Sequence, residues 1–446
     1  MGLNRLNLIS RYPALRERAY ALFFVGSLAA VGATQLLTFG QLWLVYELTE
    51  SALMLGWLGA AMSLPNLAVT LLGGVIADRY DKRTILQVTS SGNMLLSGIL
   101  VVLVLSGDIA VWHILLIAGI SSLLNGFDWP TRVAIFPQLV ERAALPSAVA
   151  LHSFIWQLMR MTIPALTGFL LFAAGVGVVF AAAGIGYLMM CVTLLYLPLR
   201  PALSASSSVG AGAQILEGIG FILRNDIFKY LLLLTFVGMF FVNSHTQLMP
   251  MFASLNLTDE VGLGFLLAAG GVGSIVGTLV IGGMRQDGDL TYAMLLSGVL
   301  AGVATVGFTV ASMFAWFYVA LALQFFAACV GSMFLITSMT AMQLCVPDEL
   351  RGRVMGIHTM CYSLLPLGGL FLGGVTDLTN IFIAVLVGAS VYIVLLVGSL
   401  TLKSSLRHLR YATLQQIPRS VDLSIDQSAA TSASISHETP VPPRPQ

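Results

Sequence analysis

The chain is a succession of apolar runs long enough to cross a membrane, and this constrains its fold more than any motif does. A helix needs about 20 apolar residues to cross a ~30 Å hydrocarbon core. Twelve runs read as membrane helices, with cores at 20–46, 53–77, 84–106, 111–127, 147–173, 176–198, 228–254, 261–284, 291–313, 315–345, 353–376 and 379–402. Of the 446 residues, 57% are hydrophobic and 9% are charged. A water-soluble domain of this size cannot hide that much apolar side chain, so the solvent is lipid and the fold class is an all-α membrane protein. The fourth run is the least regular, because "NGFDWPTR" interrupts it and predicts its end near 127.

Composition excludes several functions. The 44 glycines suit helices that pack closely. Cys191, Cys329, Cys345 and Cys361 lie in apolar stretches without metal-ligand spacing and read as small hydrophobes, so no metal site is expected. A net charge of +1 gives no global attraction to nucleic acid. No Walker-type "GxxxxGK[ST]" loop is present, which argues against ATP hydrolysis. No cleavable signal peptide is evident, since the first apolar run is too long for one.

Lys and Arg placement sets the orientation. Twelve crossings put both termini on one side. Arg5, Arg11, Arg16, Arg18, Arg79, Lys82, Arg83, Arg132, Arg142, Arg200, Arg224, Lys229, Arg285, Arg351, Arg353 and the basic residues of the tail all fall there, on the cytoplasmic face. The opposite loops carry only acids: Glu47, Glu50, Asp108, Asp259, Glu260 and Asp377. A miscounted helix would scramble this pattern, so it supports the count independently of hydropathy.

The organisation expected is a cytoplasmic segment 1–19, a six-helix bundle 20–198, a linker 199–227, a second six-helix bundle 228–402 and a disordered tail 403–446. The linker begins with the Ser/Ala/Gly stretch "RPALSASSSVGAGAQ". Ile215, Leu216, Ile219, Ile222 and Leu223 then recur at helical spacing, as in an amphipathic helix on the inner membrane surface. The halves echo each other weakly: "LVERAALPSAVALHSF" leads into the fifth helix and "CVPDELRGRVMGIHTM" into the eleventh. Parallel six-helix halves with a substrate site between them are one known transporter layout.

The turn between the second and third helices, "LGGVIADRYDKRT", concentrates charge in a chain that has little. Gly73 and Gly74 let another helix approach. Asp78 can meet a helix N-terminus or an arginine of a neighbouring helix. Arg79, Lys82 and Arg83 anchor the turn at the lipid surface. Such a cluster can latch the two halves on the inner side and break when that side opens.

At these residues the chain resembles the major facilitator superfamily. Gly74, Asp78, Arg79, Lys82 and Arg83 match the superfamily's loop pattern, and Asp81 stands where glycine is usual. The loop is similar to that of a branch of siderophore exporters and macrolide or multidrug efflux pumps. "LWLVYELTESALMLGWLGAAMSLPNL", "LNGFDWPTRVAIFPQLV" and "PDELRGRVMGI" resemble other regions of that branch, and the resemblance covers about residues 12 to 402. It departs in two places. Arg160-Met161-Thr162-Ile163-Pro164 stands for Arg-x-x-Gly-Pro, and the second-half loop "GGMRQDGDL" has Asp287 and Asp289 where basic residues are usual. An asymmetric latch is therefore expected.

Arg160 is the one basic residue outside the cytoplasmic loops. It lies roughly 18 Å into the fifth helix at 1.5 Å per residue. A mid-bilayer arginine costs at least ~2.5–3.5 kcal/mol unless paired or hydrated, so it must face the bundle interior. There it either contacts a substrate or a proton-carrying acid, or forms a structural ion pair between the fourth and fifth helices. Asp128 is the partner expected. Asp128 can instead pair with Arg132, four residues on, if the helix survives Pro130. Asp128 is also the first candidate proton carrier and Glu47 the second. Gln35, Asn125, Gln157, Asn243, His245, Gln324 and Tyr362 are candidates to line a cavity; the competing reading is packing between helices.

The resemblance implies a major facilitator fold and a secondary active transporter that exports a small amphiphilic molecule, drug-like or siderophore, by proton antiport. The proton gradient would be the energy source, with no organic cofactor. A small-molecule substrate and the lipid bilayer would be the partners, without nucleic acid, and the working unit a monomer. The alternatives are a proton-coupled nutrient importer, a non-transporting scaffold or sensor, and, weakest, a membrane enzyme, for which no nucleophile–base constellation is evident.

Overall fold

The computed structural model describes residues 12–79, 81–197, 211–283, 289–347, 350–361 and 365–402, apart from the side chains of 70–79, 211–217, 352, 359, 400 and 402. The first six spans are Arg18–Thr49, Ala52–Arg79, Lys82–Ser106, Val111–Ala134, Leu145–Ala174 and Val176–Leu195. The second six are Asp226–Leu255, Glu260–Gly282, Leu290–Met313, Phe317–Cys345, the eleventh and Ile381–Leu402. The eleventh is built from Arg351–Met360 and Leu365–Leu378. Together they form two pseudo-symmetric six-helix bundles. Large apolar side chains such as Leu105 (78% exposed) and Val394 (68% exposed) cover the outward faces, which only lipid can solvate. Ala211–Arg224 is helical, as its spacing predicts. It rests on Arg351–Met360, where a Cβ on Gly218 would lie 3.1 Å from Ile357. The segments 1–11, 198–210 and 403–446 lie outside the described residues.

Two spans depart from expectation. The fourth continues through Pro130 to Ala134 instead of ending near 127. Proline removes one backbone hydrogen bond, and side chains on either side hold the helix together. Thr131 Oγ1 donates to the Phe127 carbonyl at 2.7 Å, and Arg132 reaches back to Asp128. The seventh span is not a single α-helix. It passes from Asp226–Val237 into a π turn at Gly238–Val242 and a 3-10 stretch at Asn243–Leu248, then resumes as Met249–Leu255. Pro250 has no N–H to offer the Thr246 carbonyl. Side chains supply donors in place of the regular ladder: Ser244 Oγ to the Phe240 carbonyl at 2.6 Å and Asn243 Nδ2 to the Gly238 carbonyl at 3.2 Å.

Asp81, the residue that departs from the superfamily's loop pattern, caps the third span. Its carboxylate accepts the Thr84 N–H at 3.0 Å and the Thr84 hydroxyl at 2.9 Å. In the second half Asp289 caps the ninth span in the same way, accepting the N–H groups of Thr291 at 3.0 Å and Tyr292 at 3.2 Å. The two loops share a helix start despite their different charges.

The halves meet along two crossings, second span on eleventh and fifth on eighth. At both, glycine brings backbones together. A Cβ on Gly373 would lie 2.3 Å from the Ala52 carbonyl oxygen, and one on Gly168 would lie 2.4 Å from that of Glu260. These contacts fall in the ends of the spans opposite the basic loops. Ser51, donating to Asp377 at 3.1 Å, adds a polar tie there.

Candidate functional site

Inward of those contacts lies a cavity of about 340 Å³, shared between the halves. The first, second and fifth spans line one side, and the seventh to eleventh line the other. Helical spacing explains the lining. Gln35, Thr38, Phe39 and Leu42 recur on one face of the first span, and Trp156, Arg160 and Pro164 do so on the fifth. On the seventh span the 3-10 stretch presents Asn243, His245, Thr246 and Gln247 within little more than one turn. Irregular backbone at membrane depth is tolerated where it borders a cavity.

The polar lining is mostly amide and hydroxyl. His245 is buried, with Nδ1 2.6 Å from the Val242 carbonyl oxygen and Nε2 2.9 Å from Gln324 Oε1. The carbonyl can only accept, so Nδ1 carries hydrogen. Gln324 can present either its oxygen or its NH₂ to Nε2, so the pair survives gain or loss of a proton. Arg160 opens onto the cavity from the middle of the fifth span.

The expected pairing of Arg160 with Asp128 is not what forms. Asp128 holds Arg132, whose Nε donates to Asp128 Oδ2 and whose Nη2 donates to Asp128 Oδ1 at 3.2 Å. The Thr89 hydroxyl also donates to Asp128, at 2.9 Å, and Arg132 Nη1 donates to Ser27 Oγ at 3.3 Å. The cluster ties the first, third and fourth spans. The helix that persists through Pro130 sets the two residues four apart on one face, and this proximity decides the partner.

Four of the seven cavity candidates line the cavity: Gln35, Asn243, His245 and Gln324. Asn125 does not. It accepts a hydrogen bond from Asn93 at 3.4 Å, in a cluster between the third and fourth spans. Gln157 is exposed on another face of the fifth span, because it is offset by about 100° from Trp156. Tyr362 lies outside the described residues. Glu47 is exposed near the end of the first span, beside Trp43 and within the field of Glu260. Gly74, Asp78 and Arg79 fall within the second span, with their side chains outside the described residues. Lys82 and Arg83 open the third span, and Arg83 donates to the Leu195 carbonyl at the end of the sixth, within its own half. Thr38, Thr305 and Leu267 also line the cavity and were not singled out. For Thr38 the spacing from Gln35 was the available signal; for the other two there was none.

A cavity framed by two pseudo-symmetric six-helix halves, pressed together at the ends opposite the basic loops, defines a membrane transporter of major facilitator type. Residues 9–430 match the family described as transmembrane secretion effector, and the chain belongs to that family. It is 27% identical to the staphyloferrin A transporter of Staphylococcus aureus over 355 residues, covering 77% of this chain and 85% of the relative. It is 24% identical to the multidrug efflux pump Tap of Mycolicibacterium fortuitum, covering 75% and 83%. It is 26% identical to the enterobactin exporter EntS of Shigella boydii, covering 80% and 83%. The fold is similar to the crystal structure of the nucleoside transporter NupG, with a TM-score of 0.64, 13% identity, and coverage of 90% of this chain and 100% of that one.

Proposed function

We propose that this transporter exports a small amphiphilic molecule, a drug-like compound or siderophore, across the cytoplasmic membrane by alternating access, driven by proton antiport. The observation that carries the reading is the cavity itself. It lies between the halves, mixes amides with Phe39, Leu42 and Leu267, and is closed off on the acidic-loop side by helix crossings at Gly373 and Gly168. This is the state in which a solute enters from the side of the basic loops. The enterobactin exporter and the multidrug efflux pump among the relatives support the outward direction. The excess of Lys and Arg supports cytoplasmic termini. Asp128 remains the candidate proton carrier: protonation would release Arg132 from its partner and loosen the tie between the first, third and fourth spans.

Transport by everted vesicles and by intact cells tests the direction. Energised uptake into everted vesicles that collapses with a proton uncoupler is the expected result. Uptake by intact cells alone would establish an importer, and no solute movement in either would leave a scaffold or sensor.

The inner clasp has its own test. Asp78→Asn is expected to lower turnover at least about tenfold while membrane insertion and thermal stability stay close to wild type, because it removes the charge the proposed clasp needs and keeps the size of the side chain. Wild-type transport by this variant, measured in the same vesicles, rejects Asp78 as part of the clasp.

A further inference from the structure

Two observations narrow the substrate class. The first is the sign of the cavity. Among its described lining residues there is one guanidinium, Arg160, one histidine, His245, and no carboxylate. Asp128, the acid of the fourth span, is engaged with Arg132. Residues 362–364, next in sequence to the lining residue Leu365, are Tyr, Ser and Leu and add no negative charge. The second observation is independent of charge. The side chain of Arg160 is exposed in the cavity, where a solute can reach it. Elsewhere the lining is apolar, through Phe39, Leu42 and Met62 in the same half and Leu267 across the cavity.

We propose, on the basis of the transport reading above, that the substrate carries a carboxylate-type anionic group. That group binds at Arg160, with an apolar body against the first and eighth spans. A guanidinium offers a planar fork that matches a carboxylate with two parallel hydrogen bonds. A cationic amphiphile of the same shape meets a like charge instead, which selects against it. The direction of export is favourable for such a solute, since an anion leaving an inside-negative cell moves with the membrane potential.

The test is a size-matched panel of aryl carboxylates, their methyl esters and the corresponding amines, with 1-naphthylacetate among them. Each is scored for energised uptake into everted vesicles containing the full chain. Carboxylates are expected to exceed amines. Arg160→Gln is expected to weaken carboxylate uptake by about tenfold to a hundredfold while ester uptake persists, which also shows that the variant is folded. Arg160→Lys keeps the charge and loses the fork, so carboxylate uptake should fall severalfold with amines still excluded. Preference for amines, or an unchanged carboxylate-to-ester ratio in Arg160→Gln, overturns the proposal and leaves transport standing. Absence of energised uptake for every charge class overturns the transport reading, and the proposal with it.

Discussion

Replacing Gly373 by leucine is expected to stop transport. A Cβ there would lie 2.3 Å from the Ala52 carbonyl oxygen and 3.1 Å from the Leu53 Cα, so the second and eleventh spans could not meet. Overpacking typically costs about 1–3 kcal/mol. The clash here is against backbone, which cannot turn aside as a side chain can, so the upper end of that range applies. At 1.4 kcal/mol per factor of ten, the closed outer state loses about tenfold to a hundredfold in population. Gly59→Leu should act in the same way, because its Cβ would lie 2.4 Å from the Pro366 carbonyl oxygen. Gly98→Leu is the control, since a Cβ there meets nothing within 4 Å. The readout is solute transport together with labelling of a Thr38→Cys reporter by an impermeant maleimide added outside. Transport should fall and labelling rise for Gly373→Leu and Gly59→Leu, with neither change for Gly98→Leu. Unchanged labelling would mean that these crossings do not close the outer mouth.

The second large effect is expected at Asp128. Arg132 is 3% exposed, and Asp128 supplies its carboxylate partner. Asp128→Asn leaves a buried guanidinium without its counter-charge, and breaking such a pair costs about 3–5 kcal/mol. The change should appear as a large drop in thermal stability and in yield of folded protein in detergent. Removing both charges in Asp128→Asn/Arg132→Gln should recover much of the loss, because two neutral amides can bond to each other and to Thr89 and Ser27. A double-mutant cycle measures the coupling. If Asp128→Asn is as stable as wild type, the pair is not what holds the first, third and fourth spans together.

The fold was legible in the sequence because the bilayer permits so few solutions. Apolar runs of about 20 residues must be helices, and the confinement of basic residues to alternate loops fixed their number. Local backbone events were less legible. At Pro130 a proline rule predicts a helix end, but the side chains of Asp128, Thr131 and Arg132 outweigh one missing hydrogen bond. In the seventh span Pro250 and the polar group Asn243 to Gln247 were visible, yet an apolar run reads the same whether it winds as α, π or 3-10. For the site, the depth of Arg160 followed from counting residues, and that alone placed it inside the bundle. Its neighbours did not follow, because the rotational setting of eight spans decides which amides share a cavity. Asn125 and Gln157 show this: both have the right residue type and depth, and both are turned away from the cavity.

The matching aspartates at the start of the third and ninth spans have an evolutionary consequence. If the halves descend from one duplicated ancestor, the carboxylate that begins the helix has persisted in both copies, while the surrounding cations have persisted in only one. Starting a span and carrying a cluster of cations are thus separable features of one short loop. An engineer could redraw the charges around Asp289 to match those of the first copy, and still leave the helix its starting point.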